Sequence, residues 1–238
     1  MILIKYATKG RPELFKKAIN NILDTIGNVD FKVLVTADDN DHSMCNDDIF
    51  CYVSELKNVD IIYGFSGSKI AAINRDMDNS GDWDILINMS DDMVFTINNW
   101  GDFLLNKIKE TWGWATDFFA HFNDGYVGEA LPTMSIIGRE YYDRTNYIYH
   151  PSYKSFSCDA EAMFVAMMLG KHKYFNDVFF THEHPAYTNA KKDETYRINS
   201  KFGDVDTKNY FERLNNYFDI PEAQRICVPF EKELGRYA

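Results

Sequence analysis

Ile85-Leu86-Ile87-Asn88-Met89-Ser90-Asp91-Asp92-Met93-Val94-Phe95 is an apolar run that stops at two adjacent acids and then turns apolar again. A short apolar run bounded by polar residues suits a strand covered on both faces, and open α/β sheets bind ligands just beyond the carboxyl ends of such strands. We therefore read this stretch as a buried strand with Asp91 and Asp92 at its carboxyl end. Carboxylates placed there are hard oxygen ligands, suited to Mg²⁺ or Mn²⁺ carrying a phosphate. The other reading of the pair is a turn that caps the next helix.

Upstream, Ile2 to Ala7 reads as a first strand, followed by the turn Thr8-Lys9-Gly10-Arg11-Pro12. Leu14, Phe15, Ala18, Ile19, Ile22, Leu23 and Ile26 then recur at helical spacing, with Pro12 suited to the first helical position and Gly27 to the helix end. The amides and positive dipole end of that helix, beside Lys9 and Arg11, would attract a phosphate; an ordinary βα turn with two solvated cations is the alternative. Phe31 to Thr36 is a second strand and ends in Ala37-Asp38-Asp39-Asn40-Asp41, a second acidic pair at a second strand end. Ile49, Tyr52, Val53 and Leu56 predict a short helix, and Val59 to Tyr63 a third strand. A turn containing Gly64, Gly67, Ser68 and Lys69 leads to a helix with Ile70, Ile73, Asn74 and Met77, but its spacing fits neither a Walker loop nor a dinucleotide fingerprint. After Phe95, Trp100, Phe103, Leu104 and Ile108 predict another helix. Strand and helix alternate up to about Lys109, which implies a mainly parallel, right-handed sheet.

The texture then changes. Asp117 to Phe122 and Met134 to Ile137 read as strands, separated by the turn signal Asn123-Asp124-Gly125. A helix over Cys158 to Leu169 is followed by Tyr174 to Thr181 as a single strand leading into His182-Glu183-His184-Pro185, and the remainder is polar, helical and Tyr-rich. No repeat or low-complexity linker divides the chain, so two lobes of one unit are expected.

Composition limits the function classes. A formal net charge of −11 argues against a general affinity for nucleic acid, which rests on Lys and Arg neutralising phosphates. Cys45, Cys51, Cys158 and Cys227 form neither a Cys-x-x-Cys pair nor a regular framework, so reduced thiols in a cytoplasmic protein are expected. No signal peptide is visible, and no apolar stretch approaches the ~20 residues that span a bilayer, so a soluble chain with at most peripheral membrane contact is expected. The 18 Phe, 15 Tyr and 4 Trp supply core and stacking surface, which also suits a carbohydrate or nucleobase binder.

Three clusters near strand or helix ends remain: Asp91 with Asp92, Asp159 with Glu161, and His182 with His184. Each alone reads as surface acids or a solvated or core imidazole; together they point to a site. We expect only one of His182 and His184, two residues apart in an extended segment, to face it and to complete a metal shell with Asp92.

The chain resembles GT-A glycosyltransferases of the family 2 type. The first strand with its Arg11-Pro12 turn, the Asp38-Asp39 pair, Gly67-Ser68-Lys69-Ile70-Ala71-Ala72-Ile73-Asn74, Ser90-Asp91-Asp92 in the place of an Asp-x-Asp motif, and Ser157-Cys158-Asp159-Ala160 occur in the family's order. His182-x-His184-Pro185 with Lys192, Asp193 and Tyr196 is similar to a closing segment of related bacterial and phage enzymes.

The resemblance implies an α/β, Rossmann-like, mainly parallel sheet flanked by helices with a fused acceptor-side lobe. It implies a single domain, 1–238, with a nucleotide-sugar-binding half at 1–115 and an acceptor and catalytic-base half with C-terminal helices at 116–238. The implied activity is metal-dependent transfer of a sugar from a nucleotide-diphosphate donor, UDP-linked in most of the family, to a hydroxyl of a glycan, lipid, protein or modified nucleobase. Asp159 is the implied base of an inverting reaction. Ala7, Thr8, Arg11, Asp38, Asp39, Ser68, Lys69, Asn74 and Asp91 would contact the nucleotide, and Asp92 with His182 or His184 would hold Mn²⁺ or Mg²⁺. Tyr141, Tyr142, Tyr147, Tyr149 and Tyr153 read either as an acceptor platform or as core. The competing functions are a sugar nucleotidyltransferase and a non-catalytic nucleotide- or glycan-binding module.

Overall fold

A computed structural model describes residues 1–189 and 192–227. The last part of the expected domain, 228–238, lies outside the described residues.

The first half alternates as its sequence pattern predicts: β1 (Ile2–Thr8), α1 (Pro12–Thr25), β2 (Phe31–Ala37), α2 (Asp47–Ser54), β3 (Val59–Tyr63), α3 (Lys69–Asn74), β4 (Ile85–Met89), β5 (Met93–Phe95) and α4 (Trp100–Trp112). In α1, Phe15, Ala18, Ile19 and Ile22 are buried at helical spacing, Pro12 opens the helix, and Gly27, at φ +88°, takes the left-handed turn that ends it. The second half adds β6 (Phe119–Phe122), β7 (Ile136–Gly138), α5 (Arg139–Tyr142), α6 (Cys158–Met168), β8 (His172–Phe175), β9 (Phe180–His182), α7 (Glu194–Ser200) and α8 (Gly203–Asn215).

One seven-stranded sheet in the order β3-β2-β1-β4-β7-β6-β8 carries both halves. β3, β2, β1 and β4 are parallel; β7 is antiparallel to β4 and β6, and β8 is parallel to β6, so only β7 runs against the rest. The expected strand over Met134 to Ile137 starts only at Ile136 and runs on to Gly138. Tyr174 to Thr181 is not one strand: the chain leaves β8 after Phe175 and returns as β9 in a separate two-stranded sheet with β5. Polar Asn176, whose amide oxygen accepts from Asn123 and from the Tyr174 hydroxyl, stands at the break.

Strand alternation divides the core between two faces. Ile2, Ile4, Tyr6, Val33, Val35, Ile85 and Ile87 pack under α1, α2 and α4. Leu3, Leu34, Leu86 and Phe119 pack under α3, α6 and α8. Lys5 falls on the second face and is fully buried, donating to the Thr36 hydroxyl, which donates on to Asp76. Among the described residues no helix is long and apolar enough to cross a membrane.

Candidate active site

β4 ends at Met89, and the next three residues turn out of the sheet beside the end of β1. The Asp91 carboxylate is buried there, its Oδ1 accepting from the Tyr6 hydroxyl at 2.8 Å and from Thr8 Oγ1 at 3.0 Å, with Arg11 3.8 Å from Oδ2. Burial raises its carboxyl to about 7 despite those two hydroxyls and Arg11. Asp92 has different partners. Burial would raise its carboxyl too, but the hydrogen bond and charge of His182, with Ser90 donating at 2.5 Å, hold it well below the ordinary carboxylate range.

His182 reaches Asp92 through the small second sheet. Met93 of β5 is the cross-strand partner of His182 in β9, and the Glu183 amide donates to the Asp92 carbonyl at 2.7 Å. His182 Nε2 thereby stands 3.3 Å from Asp92 Oδ1, while its buried Nδ1 has no hydrogen-bond partner among the described residues. His184 lines the same cavity, its ring centroid 5.1 Å from that of His182. The expectation that only one of the two would face the site is thus corrected: successive side chains alternate, so residues two apart share a face. Their surroundings differ instead. His184 Nδ1 accepts from the Ala186 amide at 3.1 Å, and burial, then His182 beside it, lowers its pKa to about 4. In that neutral ring, with Nδ1 accepting, the remaining proton sits on Nε2.

Two helix starts face these residues. Ser68 caps α3, accepting from the Ala71 amide at 3.2 Å, and sets Lys69 at the cavity, where its charge acts on both Asp92 and Asp159. Ser157, at φ +60°, turns the chain into α6, so that half-buried Asp159 lines the cavity with its Oδ1 accepting from the Ala160 amide at 2.9 Å. Burial raises the Asp159 carboxyl above its usual range, against that amide and Lys69. Glu161, grouped with Asp159 in the sequence, does not share the site. It is buried behind the helix, bidentate to Arg213 at 2.8 Å for both bonds and accepting from the Tyr153 hydroxyl at 2.6 Å.

A residue with no sequence signal holds the approach to Asp159. Asp206 of α8 is fully buried, and its carboxylate accepts from the Lys154, Ser155 and Phe156 amides at 2.9, 2.7 and 2.8 Å. The Lys154 carbonyl in turn accepts from the Ile70 amide, tying the loop before Asp159 to the helix that carries Lys69.

Ala7, Thr8, Arg11, Asp38, Ser68, Lys69, Asp91, Asp92, Asp159, His182 and His184 all line one cavity of ≈ 550 Å³. Asp38 is buried there beside Lys9, at 2.7 Å. Two expected contacts lie elsewhere. Asp39 is exposed and off the cavity wall. Asn74 clamps backbone instead, accepting from the Ile148 and Tyr149 amides and donating to the Tyr149 carbonyl at 2.6 Å. Arg11 makes a bidentate pair with Asp193, at 2.6 and 3.0 Å, fastening the start of α7, whose Thr195 and Tyr196 line the cavity, to the turn after β1. Tyr142 and Tyr153 are buried in the core; Tyr149 is also buried but lines the cavity, its hydroxyl sharing a hydrogen bond with Ser135 at 2.9 Å and accepting from Asn88 at 3.3 Å.

The residues present fit a divalent cation shared with a ligand. Among the described residues no group of three or more His, Cys, Asp or Glu side chains is arranged to hold a metal ion. Asp92 and His182 do offer two donors 3.3 Å apart, near the separation of adjacent ligands around an octahedral cation at about 2.1 Å. Such a cation keeps its other positions for water and phosphate oxygens.

No family model matches the chain, and no curated protein does. Solved structures match in fold. Mannosyltransferase PcManGT from Pyrobaculum calidifontis, in complex with GDP-Man and Mn²⁺, is 11% identical at a TM-score of 0.58, over 74% of this chain and 54% of that one. S. aureus TarS 1-349 in complex with UDP-GlcNAc is 11% identical at a TM-score of 0.66, over 93% of this chain and 68% of that one. S. aureus TarS is 13% identical at a TM-score of 0.62, over 93% and 41%. The chain therefore spans about half the length of the mannosyltransferase it resembles. With a mainly parallel sheet in this order and the cavity at its strand ends, the chain has the GT-A glycosyltransferase fold.

Proposed function

We propose that the chain transfers a sugar from a nucleoside-diphosphate donor to an acceptor hydroxyl, with inversion and with a divalent cation. The observation that carries this reading is the convergence of Asp92 and His182 with Asp159 in one cavity at the sheet's carboxyl edge. Asp92 and His182, rather than His184, would hold Mn²⁺ or Mg²⁺, because the Ala186 amide occupies His184 Nδ1. When bound, the cation supplies Lewis-acid stabilisation to the leaving diphosphate.

The chain's own groups supply the rest. Arg11 and Lys69 place fixed positive charge in the cavity, and Thr8, Asp38 and Asp91 offer polar contacts at the nucleotide end. Asp159 has one oxygen on the Ala160 amide, leaving the other to take the acceptor's proton as the acceptor oxygen attacks the sugar carbon and the bond to diphosphate breaks. Its burial raises its basicity toward neutral pH, which suits a general base.

The test is a screen of nucleotide sugars for metal-dependent turnover. UDP-sugars come first and GDP-sugars second, since proteins of this fold were solved with UDP-GlcNAc and with GDP-Man. Release of nucleoside diphosphate supports the reading. Pyrophosphate would assign a sugar nucleotidyltransferase, and binding without any turnover a non-catalytic module.

A further inference from the structure

Two tyrosines outside the 141–153 stretch, Tyr126 and Tyr187, are 48% and 52% exposed. Their rings lie 6.0 Å apart between centroids and within 15° of parallel. Tyr187 lines the cavity, and its ring centroid is 5.8 Å from that of His184, which neighbours His182. A path of rings thus runs from the proposed cation ligands out to Tyr126.

The loop that carries Tyr126 is firmly held. Asp124 is buried, and its Oδ1 accepts from the Tyr126, Val127 and Gly128 amides at 3.0, 2.7 and 3.2 Å. Its Oδ2 accepts from the hydroxyl of Thr133, a residue that also lines the cavity, at 3.0 Å. A buried carboxylate is therefore devoted to fixing a loop that holds an aromatic ring half in water. A ring fixed before binding loses little conformational freedom when a ligand covers it.

We propose that Tyr126 and Tyr187 form a subsite for an uncharged sugar ring of an acceptor glycan; this rests on the transferase reading above. The C–H face of a pyranose is apolar and packs on the face of an aromatic ring, while its hydroxyl edges remain free for water and the tyrosine hydroxyls. The chain's net charge of −11 disfavours an anionic acceptor and leaves a neutral one.

Saturation-transfer NMR with uncharged oligosaccharides ending in glucose, galactose or N-acetylglucosamine reads this subsite without turnover. Ring protons of at least one should be saturated by the unaltered protein. Affinity should fall about tenfold in Tyr126→Ala and in Tyr187→Ala, and stay within about twofold in the matching Phe variants. Circular dichroism checks each variant's fold, and Tyr126→Leu and Tyr187→Leu, which keep apolar bulk without an aromatic face, stand in with the same expected loss where an Ala variant unfolds. The subsite is overturned if no oligosaccharide is saturated, or if folded Ala variants bind as tightly as the unaltered protein. A parallel thermal-shift arm with UDP and Mn²⁺ separates the two claims. Sugar binding that depends on Tyr126, with no nucleotide shift, would support the subsite and overturn the transferase reading.

Discussion

His182 Nε2 stands 3.3 Å from Asp92 Oδ1 because Met93 and His182 are cross-strand partners and the Glu183 amide bonds the Asp92 carbonyl. The contact joins two stretches far apart in the chain, and it is built by backbone pairing, so the side chains arrive already oriented.

If these two side chains hold the cation, Asp92→Asn and His182→Ala should each weaken metal binding by at least the roughly tenfold that even outer partners cost. UDP with Mn²⁺ at about a hundred times its Kd should stabilise the unaltered protein by ~2.7 kcal/mol, and the variants should lose the metal-dependent part of that shift. His184→Ala should retain most of it, since its ring is committed to Ala186. Loss in His184→Ala with retention in His182→Ala would reverse the assignment.

Asp159→Asn keeps the side chain's size and its bond from the Ala160 amide while removing the basic oxygen. Transfer should slow by roughly 10²–10⁴-fold, about 3–5 kcal/mol of barrier, with donor affinity little changed. Steady-state kinetics with saturating donor measures it, and near-normal turnover would remove Asp159 from the role.

Much of the first half is legible in the sequence because its signals are local. The apolar spacing of α1, Pro12 at its start and Gly27 beyond its end are read from neighbours in the chain. The strand ends then place Asp38, Asp91 and Asp92 without further information. What stays hidden depends on long-range partners. Nothing near Glu161 announces Arg213, nothing near Asp206 announces the 154–156 amides, and nothing in β9 names β5 as its neighbour. Asn74 shows the converse: it fits a motif, yet the fold uses it to clamp the 148–149 backbone.

Gly138 ends β7, and a Cβ added there would lie 2.0 Å from the Thr116 carbonyl oxygen and 2.6 Å from its carbon. Both are backbone atoms, so no rotamer change can relieve the clash, and β7 must shift against β4 and β6. Gly138→Ala should destabilise the protein by about 2–4 kcal/mol, read as a lower urea midpoint. An unchanged midpoint would mean that the Thr116 segment yields freely.

Lys5 gives the protein a pH dependence of its own above pH 7. Burial lowers its amine to about 7, with Asp76 opposing and Arg75 adding to the shift, whereas the unfolded chain's lysine titrates near ~10.4. Between those values the unfolded state binds more protons, so stability rises with pH; below about 7 both states are protonated and the burial penalty is fully felt. At about 1.4 kcal/mol per pH unit, urea unfolding should show a gain of order 2 kcal/mol from pH 7 to pH 9. Lys5→Met keeps the stem and removes the charge, so it should be more stable at pH 7 and lose most of that slope. If Lys5→Met keeps the full slope, another group carries the pH dependence and the buried amine is not the cause.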